Sequence, residues 1–267
     1  MFDINQLPEN IFRKVRGLTY NKDSIGESGS DVLLFDEMAL KIENTCESAN
    51  NEKIMLEWLD GKLPVPRIVE FEQADAKNYL LMTRLRGEMA CSDLNMASPE
   101  HMVKALADGL KMLWKVDVSS CPVKNGLDEK LKAAKYNIEN DLVDLDDLND
   151  DTLSEDGFSD IQALYDFLCA KRPKQDFALS LSHGDYCLPN VFVSGDKAVG
   201  FLDLGNAGVA DIWQDIALCV RSFEHNLCLY GYNNNDFIKY KELLFNELGI
   251  KPDEEKIKYY ILLDELF

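Results

Sequence analysis

The chain contains the stretch His183-Gly-Asp-Tyr-Cys-Leu-Pro-Asn190, and thirteen residues after its last member comes Asp203-Leu-Gly205. Asp185 and Asn190 are five positions apart, so a short loop can point both side chains into one cleft. A carboxylate, an amide and a second carboxylate at this spacing suit phosphoryl transfer. Asp185 can act as the catalytic base that orients and deprotonates a hydroxyl, whereas Asn190 and Asp203 can hold Mg²⁺ against a nucleoside triphosphate.

A predicted β-hairpin explains how the two parts of this motif meet. Residues 191–193 and 197–202 are rich in β-branched and aromatic residues, and the turn-forming Ser194-Gly-Asp196 separates them. A hairpin of this length returns the chain to its starting level, so Asp203 is expected beside Asn190. The alternative is an acidic hairpin on the surface that has no catalytic role. It is disfavoured because His-Gly-Asp, Asn and Asp-Leu-Gly rarely occur together at this spacing by chance.

The composition indicates an ordinary globular protein in a reducing compartment. Of the 267 residues, 46% are hydrophobic, and no apolar run approaches the length that spans a bilayer. The first residues lack the basic and apolar regions of a signal peptide. The seven cysteines are scattered and form no Cys-x-x-Cys pair, so neither a disulfide framework nor a zinc site is indicated. We therefore expect a cytoplasmic protein.

The net charge is −20, which argues against nucleic acid as a partner and is compatible with a cationic substrate. The alternative is that the acidic surface only aids solubility. The charge is concentrated in residues 139–151, where apolar residues are interleaved with the carboxylates. This pattern predicts a helix and loop with one anchored apolar side and one acidic side. The interleaved apolar residues are Leu142, Val143, Leu145 and Leu148.

The order of predicted elements indicates an α+β fold of two lobes. A short helix followed by a small antiparallel sheet with one further helix forms residues 1–86, the nucleotide-binding lobe, and a mainly helical catalytic lobe follows over residues 87–267. The crossing segment lies near residues 83–87. Strands are predicted at 32–35, 38–42, 68–71 and 79–82, and helices at 2–16, 47–60, 99–115, 127–148, 158–170, 211–230, 233–248 and 253–266.

Lys41 and Glu52 are the candidates for binding phosphates in the first lobe. Lys41 lies on a predicted strand, from which its ammonium can reach the α- and β-phosphates. Glu52 on the following helix can pair with it and fix its rotamer, because Glu52 precedes the apolar face of that helix. The competing carboxylates are those of Glu43, Glu47 and Glu57.

Two further segments are candidates for nucleotide contacts. The loop 26–30 can cover the triphosphate with backbone N–H groups and a hydroxyl, although a simple β-turn explains it equally well. Its lack of a P-loop lysine excludes a Walker-type NTPase. Residues 81–85 form the expected hinge beside adenine, with Met82 and Leu85 as candidate contacts, and Met82 also suits the core. His183 is expected to hydrogen-bond to backbone near the metal loop.

The motif is similar to the catalytic and metal loops of protein kinases, with Gly184 in place of Arg and Leu204 in place of Phe. Over nearly the whole chain, from about residue 9 to the last, the sequence resembles the aminoglycoside 3'-phosphotransferases. This resemblance rests on 52–66, the catalytic motif, Phe201-Leu-Asp-Leu-Gly205, Trp213-Gln-Asp-Ile-Ala217, Cys219-Val-Arg-Ser222 and Leu262-Leu-Asp-Glu-Leu-Phe267.

The resemblance implies a protein-kinase-like fold and transfer of the γ-phosphoryl group of ATP to the 3'-hydroxyl of kanamycin- or neomycin-type antibiotics. Asp185 is then the base, Asn190 and Asp203 bind Mg²⁺, and Ser28 reaches the β-phosphate. The cofactors implied are ATP and Mg²⁺, the substrate is a cationic aminoglycoside, and the protein is a monomer or weak dimer. The implied substrate-binding residues are Asn125, Asp146, Asp147, Asp150, Arg221, Glu224, Asp264, Glu265 and Phe267, the last through its carboxylate.

Three departures from the family pattern leave details open. Ala39 stands where one branch has an aromatic residue stacked on adenine, which leaves the nucleotide affinity, or the choice between ATP and GTP, open. Asn206 stands where that branch has a basic residue, and a shorter acidic insert leaves the alignment of residues 144–151 open. The rival interpretations are a kinase of the same fold for choline, fructosamine or homoserine, and a catalytically silent nucleotide-binding protein. A protein kinase is disfavoured because no Ala-Pro-Glu pattern follows Asp203.

Overall fold

The protein is described from a computed structural model. The structure describes residues 2–22, 30–146, 148, 152–154, 157–174 and 179–267. Three of the predicted site residues, Ser28, Asp147 and Asp150, lie outside these ranges.

The N-terminal part is built on an antiparallel sheet in the order β1-β2-β3-β5-β4. The central pair, β3 and β5, is joined without a register break, and Lys41 lies opposite Leu80. Residues of β3 from Ala39 to Ile42 are buried on both faces, because structure packs against both sides of the sheet. The strands are β1 (Asn21–Lys22), β2 (Asp31–Leu34), β3 (Met38–Asn44), β4 (Ile68–Ala74) and β5 (Lys77–Thr83).

Each face of this sheet has its own helix. Helix α1 (Glu9–Val15) buries Ile11 and Val15 in an apolar cluster with the outer face of the sheet. Helix α2 (Glu47–Leu59) lies on the inner face, where Met55 joins a larger cluster that continues into the helical part of the chain. The sheet is therefore held to the catalytic part by continuous apolar packing, and the boundary at residue 86 stays a prediction.

The C-terminal part is mainly helical. Its long helices α4 and α7 are the most buried, and α4 lies against α8 and the strand β9. The helices are α3 (Asp93–Met96), α4 (Pro99–Trp114), α5 (Leu127–Glu139), α6 (Ile161–Ala170), α7 (Ile212–Leu229), α8 (Asn234–Leu248) and α9 (Glu254–Asp264). The short strands are β6 (Glu88–Met89), β7 (Ser180–Ser182), β8 (Val191–Ser194), β9 (Lys197–Phe201) and β10 (Gly208–Ala210).

The predicted hairpin is present as β8 and β9, and it brings the motif together as expected. The two strands pair antiparallel from Val191–Phe201 to Ser194–Lys197. At the open end of the hairpin the Leu202 N–H donates to the Asn190 carbonyl over 2.9 Å. Asp203, the next residue, therefore starts its loop directly beside Asn190.

The acidic stretch differs from the prediction. Helix α5 ends at Glu139, well before residue 148, because Asp141 adopts a left-handed conformation with φ of 53°. Leu142 and Leu145 are 56% and 59% exposed, so the expected anchored apolar side is wrong for both. Val143 does pack against the core. Leu148 is partly buried, so the described apolar residues of this stretch do not share one buried side.

Most other predicted elements agree with the structure within a few residues. The predicted helix 2–16 is instead a short 3₁₀ turn at Ile4–Gln6 followed by α1. Among the described residues, no helix combines the length and the apolar character needed to cross a membrane. All seven cysteines are described, and each is a free thiol.

Candidate active site

The catalytic loop connects β7 to β8 and fixes Asp185 against Asn190. The Asn190 Nδ2 group donates to the Asp185 carboxylate over 2.8 Å and to the Asp185 carbonyl over 3.1 Å. These bonds use the nitrogen of the Asn190 amide, so its oxygen stays available to a cation. The loop is anchored to α7, because the Leu188 N–H donates to the Ser222 hydroxyl over 3.0 Å. Both candidate side chains are thereby held in place by contacts within the protein.

Asp215 in the first turn of α7 organises the start of this loop, and sequence reasoning assigned it no role. Its fully buried carboxylate accepts from the Ser182 hydroxyl and from the His183 and Gly184 N–H groups, over 2.8–3.0 Å. Burial raises the pKa of this carboxyl, while His183 and the hydrogen bonds oppose the rise. The only signal in the sequence was its place in Trp213-Gln-Asp-Ile-Ala217.

Replacing Asp215 by Ala is expected to lower the free energy of unfolding by roughly 3 kcal/mol, because the buried Ser182 hydroxyl and His183 N–H lose their acceptor and the Gly184 N–H keeps only its bond to Ser182. Asp215→Asn keeps one acceptor oxygen and should recover part of the loss. Urea denaturation of both variants measures the difference. Wild-type stability in Asp215→Ala would contradict this account of the loop.

Gly184 brings the catalytic loop into contact with the metal loop that follows Asp203. Its φ of 81° is left-handed, and a Cβ atom here would overlap the carbonyl oxygen of Asn206. No residue with a side chain fits this position, which explains the glycine where protein kinases have arginine. The two loops therefore lie in direct backbone contact.

Two asparagines hold the metal loop from outside. The Asn51 Nδ2 group on α2 donates to the carbonyls of Gly205 and Ala207, over 2.7 and 3.1 Å. Asn125, which the resemblance places in the sugar site, donates to the Asn206 carbonyl over 2.6 Å. Asn51 could not be recognised from the sequence, because its partners lie more than 150 positions away.

Lys41 lies at the centre of a group of three carboxylates. Its ammonium is 2.8 Å from Glu52, 3.2 Å from Asp203 and 3.4 Å from Glu43. Burial disfavours the ammonium, but the three carboxylates outweigh this effect and hold the pKa of Lys41 well above its ordinary value. Burial raises the pKa of the Glu52 carboxyl, and the Lys41 ammonium limits the rise. Lys41 thus stays charged, and its contact with Asp203 ties the sheet to the metal loop.

The expected adenine side of the cleft is formed by β3, β5 and the crossing segment. Ala39 and Met82 are directly opposite each other across β3 and β5, and both are buried. Leu85 lies against Gly200 of β9, where a Cβ atom would be 2.6 Å from a Leu85 methyl group. The crossing segment therefore rests on the catalytic hairpin. The roles of Met82 and Leu85 in nucleotide binding stay predictions.

The predicted substrate-binding residues fall into separate groups. Arg221 and Asp264 form an ion pair of 2.6 Å. Burial disfavours the Arg221 guanidinium, but Asp264 and Cys187 outweigh this and raise its pKa. Ser222, the next residue on α7, accepts from the Leu188 N–H, so the ion pair lies beside the catalytic loop. Glu224 and Glu265 instead line a cavity of about 1030 Å³ between α6, α7, α8 and α9. Asp146 is exposed at the surface.

Cys187 and His183 lie within two residues of Asp185, and neither is predicted to take part in catalysis. Burial and the nearby Asp185 carboxylate raise the pKa of the Cys187 thiol, so this thiol stays protonated. His183 is fully buried against the rings of Tyr186 and Phe201, and neither of its ring nitrogens hydrogen-bonds to a residue in the described ranges. The predicted hydrogen bond from His183 is therefore wrong, because aromatic packing occupies its surroundings.

The donor set at Asn190 and Asp203 fits Mg²⁺. It consists of an amide oxygen and a carboxylate that is 41% exposed, and Asp203 takes a left-handed conformation with φ of 54° that turns it out of the hairpin. Hard oxygen donors, few in number and supplemented by phosphate oxygens, are typical of Mg²⁺ in kinase sites.

Comparisons with known proteins agree with this geometry. A sequence model of the phosphotransferase enzyme family matches residues 26–229. An aminoglycoside 3'-phosphotransferase of Enterococcus faecalis is 42% identical over 230 residues, which cover 85% of this chain and 82% of that protein. The chain belongs to the aminoglycoside 3'-phosphotransferase family. Another member, from Niallia circulans, is 38% identical over 94% of this chain and 92% of its own.

Solved structures of related enzymes confirm the two-lobe fold of this member of the aminoglycoside 3'-phosphotransferase family. The crystal structure of a type VIII aminoglycoside 3'-phosphotransferase superposes with a TM-score of 0.76 at 25% identity, covering 97% of this chain and 98% of that one. An aminoglycoside phosphotransferase from Streptomyces rimosus gives 0.81 at 21% identity, over 100% and 99% of the two chains, and shows the fold alone. The predictions of family and of a kinase-like fold are confirmed.

Proposed function

We propose that this enzyme phosphorylates the 3'-hydroxyl of aminoglycoside antibiotics of the kanamycin or neomycin type, with ATP and Mg²⁺, and thereby confers resistance. The observation that carries the proposal is the joint placement of Asp185, Asn190, Asp203 and Lys41 around one cleft in a member of this family. ADP has been captured with streptomycin in the relative from Streptomyces rimosus, which agrees with a nucleotide cofactor.

In the proposed reaction the acceptor hydroxyl oxygen attacks the γ-phosphorus while the bond from that phosphorus to the β–γ bridging oxygen breaks. Asp185 accepts the hydroxyl proton, and ADP leaves with the bridging oxygen. The Lys41 ammonium, held by Glu52, orients the α- and β-phosphates. Asn190 and Asp203 hold Mg²⁺, which when bound neutralises charge on the phosphates.

The acidic character of the acceptor lobe suits a polycationic substrate. Asp264 and the exposed Asp146 are carboxylates that an aminoglycoside ammonium can approach. One such pair about 4 Å apart near a protein surface contributes very roughly 4 kcal/mol of gross Coulomb energy before desolvation. Several pairs together make charge, in addition to shape, a source of affinity.

The KM for the aminoglycoside is therefore expected to rise severalfold as ionic strength increases from about 0.05 to 0.5 M, because salt screens the charges. The KM for the nucleotide, measured in the same titration, separates this effect from a general loss of activity. An aminoglycoside KM that does not depend on salt would contradict the role of the acidic surface.

A coupled assay of ADP release across a panel of acceptors tests the proposed reaction. Kanamycin- and neomycin-type compounds should be turned over, whereas an aminoglycoside without the 3'-hydroxyl should not. Choline, fructosamine and homoserine serve as alternative acceptors. Turnover of one of these, with none for the aminoglycosides, would replace the proposal by the rival interpretation of a different small-molecule kinase.

The proposal also covers the location of the enzyme, its lack of nucleic-acid binding and its oligomeric state. The seven free thiols are compatible with the proposed cytoplasmic location. The net charge of −20 agrees with an enzyme that does not bind nucleic acid. We propose a monomer or weak dimer in solution.

A further inference from the structure

The first turn of α5 buries a lysine that has no partner carboxylate. Lys130 lies on the buried face of the helix with Leu131 and Ala134 and is only 5% exposed. It forms no hydrogen bond or ion pair with any residue that the structure describes. The Lys130 Nζ atom keeps only a small area exposed to solvent. Removing most of an ammonium from water without a hydrogen-bond partner is costly, so another interaction is expected to compensate.

That interaction is made with the ring of Phe267. The Lys130 Nζ is 4.4 Å from the centre of this ring, a cation–π contact that burial strengthens. Burial lowers the pKa of the Lys130 ammonium, and the surrounding carboxylates of Asp264, Asp185 and Asp215 oppose the fall. The ammonium thus lies against the ring of Phe267, with the carboxylates of Asp264 and Asp185 among its charged neighbours.

A second residue of α5 holds the same segment. The Asn137 Nδ2 group donates to the Leu266 carbonyl over 2.9 Å. Asn137 follows Lys130 by seven positions, which is two helical turns, so both side chains lie on one face of α5. This face therefore contacts residues 266–267 at two points.

The segment held in this way includes a charged group of the acceptor site. Asp264 ends α9 and pairs with Arg221, which neighbours Cys187 in the catalytic loop. We propose that Lys130 is a positioning residue of the acceptor site, which fixes residues 264–267 against the catalytic loop through its contact with Phe267. The inference rests on the proposed function, because it assigns a residue that shapes the site of the hydroxyl acceptor.

Lys130→Met should raise the KM for kanamycin by about tenfold, the effect of losing a buried cation–π contact. The KM for ATP should not change, because the nucleotide residues lie on the other side of the cleft, and kcat should change by less than about twofold. Lys130→Arg should restore the KM, since a guanidinium also stacks on aromatic rings. The melting temperature of Lys130→Met should not fall, because a methionine fits a buried site.

Lys132→Met is the matched control. Lys132 lies on the exposed face of α5, and its replacement removes the same charge and adds the same side chain. It should leave both KM values unchanged. A kanamycin KM in Lys130→Met equal to that of Lys132→Met would overturn the proposal, as would a parallel rise in the KM for ATP.

The direction in which the KM for kanamycin changes also distinguishes a positioning role of Lys130 from a purely electrostatic one. If Lys130 acted only as a positive charge near a polycationic substrate, its removal would lower the KM for kanamycin. A lowered KM would therefore overturn the positioning role, and a raised KM that arginine restores supports it.

Hydrogen exchange tests the contact without any substrate. The N–H groups of Leu266 and Phe267 donate to the carbonyls of Leu263 and Asp264. In Lys130→Met these amides should exchange about tenfold faster than in Lys132→Met, since about 1.4 kcal/mol of local stabilisation is lost. Unchanged exchange would overturn the proposal even if the enzyme is active. If the wild type phosphorylates no aminoglycoside, the proposed function fails, and exchange alone decides whether Lys130 holds this segment.

Discussion

Replacing Asp185 by Asn is expected to lower kcat by about 10²–10⁴-fold, the usual contribution of a general base. The substitution keeps the shape of the side chain, and the amide oxygen of the new residue can still accept from Asn190. What is lost is the group that accepts the hydroxyl proton. Steady-state kinetics with kanamycin measures the effect, and binding of ADP measured by calorimetry should be largely retained.

The matched control for this substitution is Asp196→Asn. Asp196 lies in the exposed turn of the same hairpin, so it loses the same charge at a position remote from the cleft. This variant should keep wild-type kcat. Retained turnover in Asp185→Asn would remove Asp185 from the role of base, whereas loss of ADP binding would mean that the substitution damages the nucleotide site instead.

Replacing Lys41 by Met is expected to have two large effects. The variant should lose about 3–5 kcal/mol of unfolding free energy, because Glu52, only 2% exposed, is left with an unpaired charge close to Glu43 and Asp203. It should also lose about two orders of magnitude or more in kcat/KM for ATP, since the phosphates lose a preorganised cation. Urea denaturation and steady-state kinetics measure the two effects independently.

The double variant Lys41→Met/Glu52→Gln separates stability from catalysis. Removing the Glu52 charge should recover most of the lost stability, and activity should stay low because the ammonium is still absent. Lys53→Met provides a control on the same helix, where the exposed pair of Lys53 with Glu57 should contribute less than about 1 kcal/mol. Recovery of activity in the double variant would contradict a role for Lys41 in phosphate binding.

The predictions succeeded where the chemistry is encoded within a short segment. The spacing of Asp185, Asn190 and Asp203 is set by one loop and one hairpin, so their proximity follows from local structure. The pairing of Lys41 with Glu52 was chosen correctly among four carboxylates, although Glu43 also contacts Lys41. The alternation of strands and helices likewise predicted the two-lobe fold.

The predictions failed, or were absent, where contacts join distant parts of the chain. Asn51 carries no sequence signature, and the only signal for Asp215 is its place in Trp213-Gln-Asp-Ile-Ala217, because their partners become neighbours only after β7, α2 and α7 have packed. The acidic stretch was predicted to bury its leucines, but Leu142 and Leu145 lie exposed beyond the end of α5. A periodic pattern indicates which residues can share one face of a helix or strand. It does not indicate whether another element packs against that face.

The sequence by itself thus determined the reaction chemistry, the family and the order of elements, since each depends on residues close together in the chain. Only the tertiary structure decided which side chains hold the catalytic loop and the metal loop in place. Lys130 is the clearest case, because its sequence context resembles that of its exposed neighbour Lys132. The packing of α5 against the end of α9 is what buries one ammonium against Phe267 and leaves the other in water.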